Sequence, residues 1–270
     1  MKRSIQLLGF VLLGNICYGQ MSLSKDTIDR ILTHSPAFSI YKDNYFIGGT
    51  TLGETPSKDN SDLKFQFSFK QRILNKPFGK GVFTYLTYTQ KSFWNIFQDS
   101  SPFGETNYNP GLLFVMPSYK ANRLTGIWTS SLEHESNGRD STYSRSWNFV
   151  SVAYGHFFSP RLTASVKAWI PFSLSDNPDL MEYIGYGEGQ LQWTVKEDRV
   201  FFNLLVRKGA SWDWKGSIQS TITYRPFENR TLNLMLQWWQ GYAESLIDYQ
   251  EARGMLRFGL QIKPTYSRFY

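Results

Sequence analysis

The chain has 270 residues, 41% of them hydrophobic and 17% Phe, Tyr or Trp, so aromatics hold an unusual share of the apolar total. Beyond the first twenty positions no run of about eighteen apolar residues occurs, which excludes a helical membrane protein but leaves a β-barrel open. The formal charge is +7. Lys2 and Arg3 belong to the leader, and without them 27 Lys plus Arg stand against 22 Asp plus Glu, a balance of +5 with no like-charge block. That pattern excludes a nucleic-acid partner and suits anionic lipid.

The first nineteen residues read as a signal peptide. Lys2 and Arg3 precede an apolar stretch from Ile5 to Ile16, and Cys17 and Gly19 provide small residues at −3 and −1 of a cleavage site. The single cysteine lies there, so the mature chain has neither disulfide nor thiol chemistry. Residues 20–37 are expected to form a short periplasmic N-terminal segment, and 38–270 the barrel.

From Phe38 onward the hydrophobic period is two, which is the strand signal. Leu63, Phe65, Phe67 and Phe69 interleave with Lys64, Gln66, Ser68 and Lys70. Leu162, Ala164, Val166, Ala168 and Ile170 alternate with Thr163, Ser165 and Lys167, and Leu232 to Trp238 repeat the pattern. The alternation predicts strands at 38–52, 63–73, 81–96, 109–117, 123–136, 146–157, 161–171, 183–195, 199–208, 216–224, 231–242 and 253–262. These twelve antiparallel strands, with long and short connections in alternation, describe an all-β transmembrane barrel with long loops on the outer rim. The apolar parity then meets lipid and the polar parity the interior. Tyr85, Tyr88, Trp94, Trp193, Trp238 and Tyr242 are expected in the interfacial girdles.

Residues 134–148 carry the candidate chemistry. His134 and Ser136, two apart near the end of a strand, leave one face. They share it with Trp128 and Leu132, which is the lipid side. Asn148 in the next strand shares the outward parity of Val150 and Val152, so strand pairing can set it beside His134. A nucleophile, a base and an orienting amide would then meet at the membrane surface, where polar groups are costly and are kept for function. A hairpin loop rich in Ser, Asn and Gly is the competing explanation of the same residues.

The segment His134-x-Ser136-Asn137-Gly138-Arg139 with Ser144-Arg145-Ser146-Trp147-Asn148 resembles the outer membrane phospholipase A family. So do Tyr88-Thr89-Gln90-Lys91-Ser92, Ser100-Ser101-Pro102-Phe103, Glu105-Thr106-Asn107-Tyr108, Asn177-Pro178-Asp179 and Gly241-Tyr242-x-Glu244-Ser245. The resemblance implies a calcium-dependent phospholipase of the bacterial outer membrane. It would hydrolyse acyl esters of phospholipids and lysophospholipids in the outer leaflet, with its active site toward the cell surface, and be activated by homodimerisation. It casts Ser136 as nucleophile, His134 as base and Asn148 as the residue orienting the imidazole. It also implies Ca2+ bound by the Arg139 carbonyl, the Ser144 hydroxyl and Ser100 of a second copy, with Gln90 at the dimer contact. Gly104 stands where the family has an arginine, and Asp140 then Ser141 follow Arg139 where the family's acid is one place later, which leaves a monomer calcium site open. The competing functions are a passive outer-membrane channel and a soluble calcium- or carbohydrate-binding barrel.

Overall fold

A computed structural model describes residues 23–263 apart from 75, 80 and 228–230. The leader and its cleavage position lie outside the described residues. Helix α1 (Lys25–His34) is followed by β1 (Phe38–Ile40), β2 (Asn44–Thr51), β3 (Ser61–Arg72), β4 (Phe83–Trp94), β5 (Phe103–Lys120), β6 (Arg123–Ser136) and β7 (Ser146–Ser159). After β8 (Leu162–Phe172) comes a short helix α2 (Leu180–Ile184), then β9 (Gly187–Lys196), β10 (Val200–Lys208), β11 (Gly216–Tyr224), β12 (Leu232–Gly241) and β13 (Arg253–Ile262). Each strand from β2 to β13 pairs antiparallel with the next, and β13 returns to β2 with Met255 opposite Thr51 and Ile262 opposite Asn44. Twelve strands therefore close into a barrel without a free edge, as the alternation predicts. At that seam a Cβ on Gly49 would lie 1.9 Å from the Leu256 carbonyl and one on Gly259 2.2 Å from the Phe46 carbonyl, so only glycine allows this approach.

Three strands depart from the sequence expectation by more than two residues. The first predicted strand, 38–52, is two pieces, because Tyr41–Asp43 leave the ladder where Ser68 is satisfied instead by Lys42 and Asn44. The strand expected at 109–117 runs from Phe103 to Lys120. Its early part carries polar residues on both faces, Glu105 and Asn107 against Thr106 and Tyr108, so period-two hydropathy vanishes while pairing continues. The strand expected at 183–195 starts at Gly187, since Tyr183 and Ile184 complete α2.

Interior and exterior divide by parity. Lys64 and Lys70 are buried while Phe67 and Phe69 face out. Tyr85 is corrected from girdle to interior, because its parity is that of Phe83, Thr87 and Lys91. It joins Phe83, Leu113, Val115, Leu124, Ile127 and Phe157, which close around Ile28 and Leu32 of α1 at the end of the barrel with short turns. The helix forms because Ser24 caps Thr27 N–H, Asp26 sits in the first turn, and Ile28 and Leu32 share a face. Pro36 prevents continuation. The loop-rich end is filled by Leu180, Met181 and Ile184 with Leu246, Tyr249, Trp147 and Trp169. Tyr242 is likewise corrected: it follows β12 and packs on Tyr183 in this cap.

Between the two apolar caps lies a polar cavity of about 470 Å³. Several of its buried charges are paired, which offsets the cost of removing them from water. Arg257 grips Asp62 through Nε at 2.6 Å and Nη2 at 2.7 Å. Glu244 reaches in from the β12–β13 loop to accept from Arg257 Nη1 at 2.7 Å and Lys64 Nζ at 2.8 Å. Among the described residues no helix is long and apolar enough to cross a membrane.

Candidate active site on the outer barrel wall

The β6–β7 hairpin builds the site. In its register Leu132 opposes Val150, His134 opposes Asn148 and Ser136 opposes Ser146. Leu132, Val150 and Val152 are exposed on this wall, whereas Glu133 and Phe149 of the other parity are buried inside. His134 and Asn148 therefore share the outer face, and His134 Nδ1 lies 2.9 Å from Asn148 Oδ1. An amide oxygen only accepts, so Nδ1 is the donor of this contact and Nε2 is the ring nitrogen left outside it. The His134 backbone is fixed by Asn109 Nδ2, which donates to its carbonyl at 2.9 Å. Ser136 follows two residues on along the same face, opposite Tyr108 of β5. Its hydroxyl has no hydrogen-bond partner among the described residues.

Beside this pair an open groove of about 850 Å³ runs down the wall, lined by Leu86, Tyr88, Leu112, Leu132 and Phe172 as well as His134 and Asn148. Gln90 lies one step along the same face, where its Oε1 accepts from Tyr88 at 3.1 Å and its Nε2 donates to Ser92. Glu135 points inward and accepts from the Trp147 indole at 3.0 Å, so it is a lumen charge.

Loop 137–145 is organised by one amide. Asn137 Oδ1 accepts from Arg139 N–H at 3.3 Å and Arg145 N–H at 3.0 Å, and its Nδ2 donates to the Tyr143 carbonyl at 2.8 Å. Gly138 takes φ 66°, and a Cβ there would meet the Tyr108 ring at 3.0 Å, so glycine is required on both counts. Ser144 and Ser146 both donate to Asp176 Oδ2, at 2.8 and 2.9 Å. Those two hydroxyls hold the Asp176 carboxyl below its usual range. Asn177, fully buried, accepts from Ser146 N–H at 3.0 Å and fixes the loop behind it.

Asp176 is the functional candidate that the sequence left unnamed. Its only signal was its place directly before Asn177-Pro178-Asp179. The structure thus joins Ser144 to Asp176, while Arg139 lies in the same loop and is held by Asn137. Ser100 stands apart, exposed at φ 63° in the β4–β5 loop, and among the described residues no hydrogen bond joins it to loop 137–145. A carbonyl, a hydroxyl and a carboxylate are hard oxygen donors, and the Arg139 carbonyl accepts no hydrogen bond among the described residues, so the set suits calcium.

A family model described as Phospholipase A1 matches residues 31–262. A Neisseria meningitidis serogroup B relative is 30% identical over 234 residues, covering 80% of this chain and 60% of its own. The chain thus spans less than two thirds of that protein. The phospholipase A1 of Escherichia coli K12 is 32% identical over 209 residues, 73% of this chain and 67% of that one. The crystal structure of the Salmonella typhi outer membrane phospholipase dimer with bound calcium superposes with a TM-score of 0.75 at 25% identity, over 87% of this chain and 97% of that one.

Proposed function

Because the chain belongs to the phospholipase A1 family, we propose that it hydrolyses the acyl esters of phospholipids and lysophospholipids in the outer leaflet of the bacterial outer membrane. The observation that carries this reading is the 2.9 Å contact of His134 Nδ1 with Asn148 Oδ1 on the outer wall, two residues from Ser136. With Nδ1 protonated, Nε2 is free to take the Ser136 proton as Oγ attacks the ester carbonyl, and then to return it to the leaving alcohol. Water activated by the same nitrogen releases the acyl group from Ser136. A neutral asparagine orients the imidazole without placing a full charge against lipid. The groove beside His134 accepts acyl chains directly from the bilayer.

The oxyanion is received by the Ser136 backbone N–H. Calcium would be held by the Arg139 carbonyl, the Ser144 hydroxyl and Ser100 of a second copy, with Asp176 behind Ser144, and would supply positive charge beside that oxyanion. Sharing between copies makes dimerisation the switch, with Gln90 at the contact. The active site faces the cell surface, residues 1–19 direct export, and residues 20–37 with α1 lie on the periplasmic side. A passive channel is the poorer reading, because apolar side chains fill both mouths of the barrel.

The test is fatty-acid release from mixed phospholipid–detergent micelles by refolded protein, with calcium and with chelator. Calcium-dependent release that Ser136→Ala abolishes is expected. Release by Ser136→Ala at the wild-type rate overturns the assignment.

A further inference from the structure

The side chain of Arg139 makes contacts that its backbone role leaves unexplained. Its Nε lies 3.3 Å from Glu105 Oε2, and its Nη2 donates to the Gly104 carbonyl. Glu105 is a buried carboxylate, only 2% exposed, whose other oxygen accepts from Asn107 Nδ2 at 2.8 Å. Arg139 is the one cation paired with it among the described residues. Glu105 Oε2 is buried and accepts no hydrogen bond among the described residues, so the guanidinium at 3.3 Å is its nearest compensation and holds the two side chains together. Asn107 in turn accepts from Leu246 N–H at 3.2 Å, so the pair is braced by the cap of the barrel.

Residues 104 and 105 open β5 only a few positions after Ser100, and the intervening chain is stiff. Phe103 stacks on Trp94 with centroids 5.3 Å apart. Trp94 Nε1 donates to the Ser101 carbonyl at 2.8 Å, Ser101 Oγ to the Ile96 carbonyl at 3.0 Å, and Asn95 N–H to the Pro102 carbonyl at 3.0 Å. A Cβ on Gly104 would sit 3.1 Å from Asn95 Nδ2, so the loop closes tightly against the clamp. On its other side Arg139 is held by the Asn137 amide, the same group that shapes loop 137–145.

We propose that the Arg139 guanidinium, clamped by Glu105 and the Gly104 carbonyl, is a positioning group that couples the two shared calcium sites of the dimer. This rests on the preceding assignment of Arg139 and Ser144 to one copy and Ser100 to the other. Each copy offers the Arg139 carbonyl to its own site and Ser100 to its partner's. The clamp joins those two donors within one chain. Fixing the Arg139 carbonyl at one site therefore orders, through residues 104–105 and the stiff β4–β5 loop, the Ser100 that completes the other. A coupling of this kind is reciprocal, and loading is cooperative.

The experiment is calcium titration of refolded protein in detergent, followed both by sedimentation of monomer and dimer and by fatty-acid release. The variants are Arg139→Met, which keeps the carbonyl, Glu105→Gln, and the charge exchange Glu105→Arg with Arg139→Glu. Heat-modifiable migration and tryptophan emission check the fold. Wild type should respond with a Hill coefficient approaching 2. Arg139→Met and Glu105→Gln should each raise the half-saturating calcium by about five-fold or more and flatten the slope toward 1, and Glu105→Gln should change turnover at saturating calcium far less. The charge exchange should recover part of the slope. A folded Arg139→Met whose titrations match a cooperative wild type overturns the coupling. If wild-type association and activity ignore calcium, the shared-site reading itself has failed instead.

Discussion

Replacing Asn148 by alanine isolates the orienting role from the chemistry. The substitution deletes one contact, Nδ1–H to Oδ1 at 2.9 Å, and leaves His134 opposite a methyl group with its ring free to turn. As the imidazole gains a proton during attack on the ester, that hydrogen bond becomes one to a charged donor, worth about 1.5–3 kcal/mol. At about 1.4 kcal/mol per tenfold in rate, kcat should fall roughly 10- to 150-fold while KM for micellar substrate changes little. Asn148→Asp keeps the acceptor but sets a charge on the lipid wall, so it should retain more activity than alanine and less than wild type. Asn148 fills no interior space, so every variant should keep wild-type heat-modifiable migration. The assay is saturation kinetics of fatty-acid release at fixed calcium. An Asn148→Ala kcat within about two-fold of wild type would show that the contact does not orient a catalytic base.

Four further outcomes follow from the same geometry. Ser136→Ala and His134→Ala should each remove most turnover, and the double variant should lose little more, because the two side chains act as one unit; additive losses in kcat would contradict this. Asp176→Asn should raise the calcium needed for half-maximal activity, read by titration, because Ser144 and Ser146 lose their shared carboxylate acceptor. The Asp176 carboxyl is depressed by those hydroxyls, so its ordering of the loop is complete above the ordinary value of about 3.9 and is lost only as pH falls through the lower folded value; protection of loop 137–145 from proteolysis should therefore persist at about pH 5. Leu32→Asp should expel α1 from its apolar seat, read as new protease cleavage within residues 25–34 and raised conductance in planar bilayers, with the strand ladder intact.

The sequence by itself determined the wall and its two faces. Period-two alternation in residues such as Leu63–Lys70 leaves a strand no choice of face, since a slip of one residue would turn every apolar side chain inward. The same logic brought His134, Ser136 and Asn148 to one side, because parity is a local property of each strand. What lay beyond it were elements whose reason is distant in the chain. Helix α1 is ten residues long, too short to hold by propensity, and exists because a ring of Phe83, Tyr85, Leu113 and Val115 awaits Ile28 and Leu32. Tyr85 was misplaced for the same reason, since an aromatic at a barrel end can face lipid or a plug. The early half of β5 was hidden because polar residues occupy both its faces, and only pairing with β4 reveals it. Asp176 and Glu105 acquire meaning from Ser144 and Arg139, which lie 32 and 34 residues away along the chain. Carboxylates that act through such partners carry no periodic mark, because their partners are set by barrel closure and loop packing rather than by spacing along the chain.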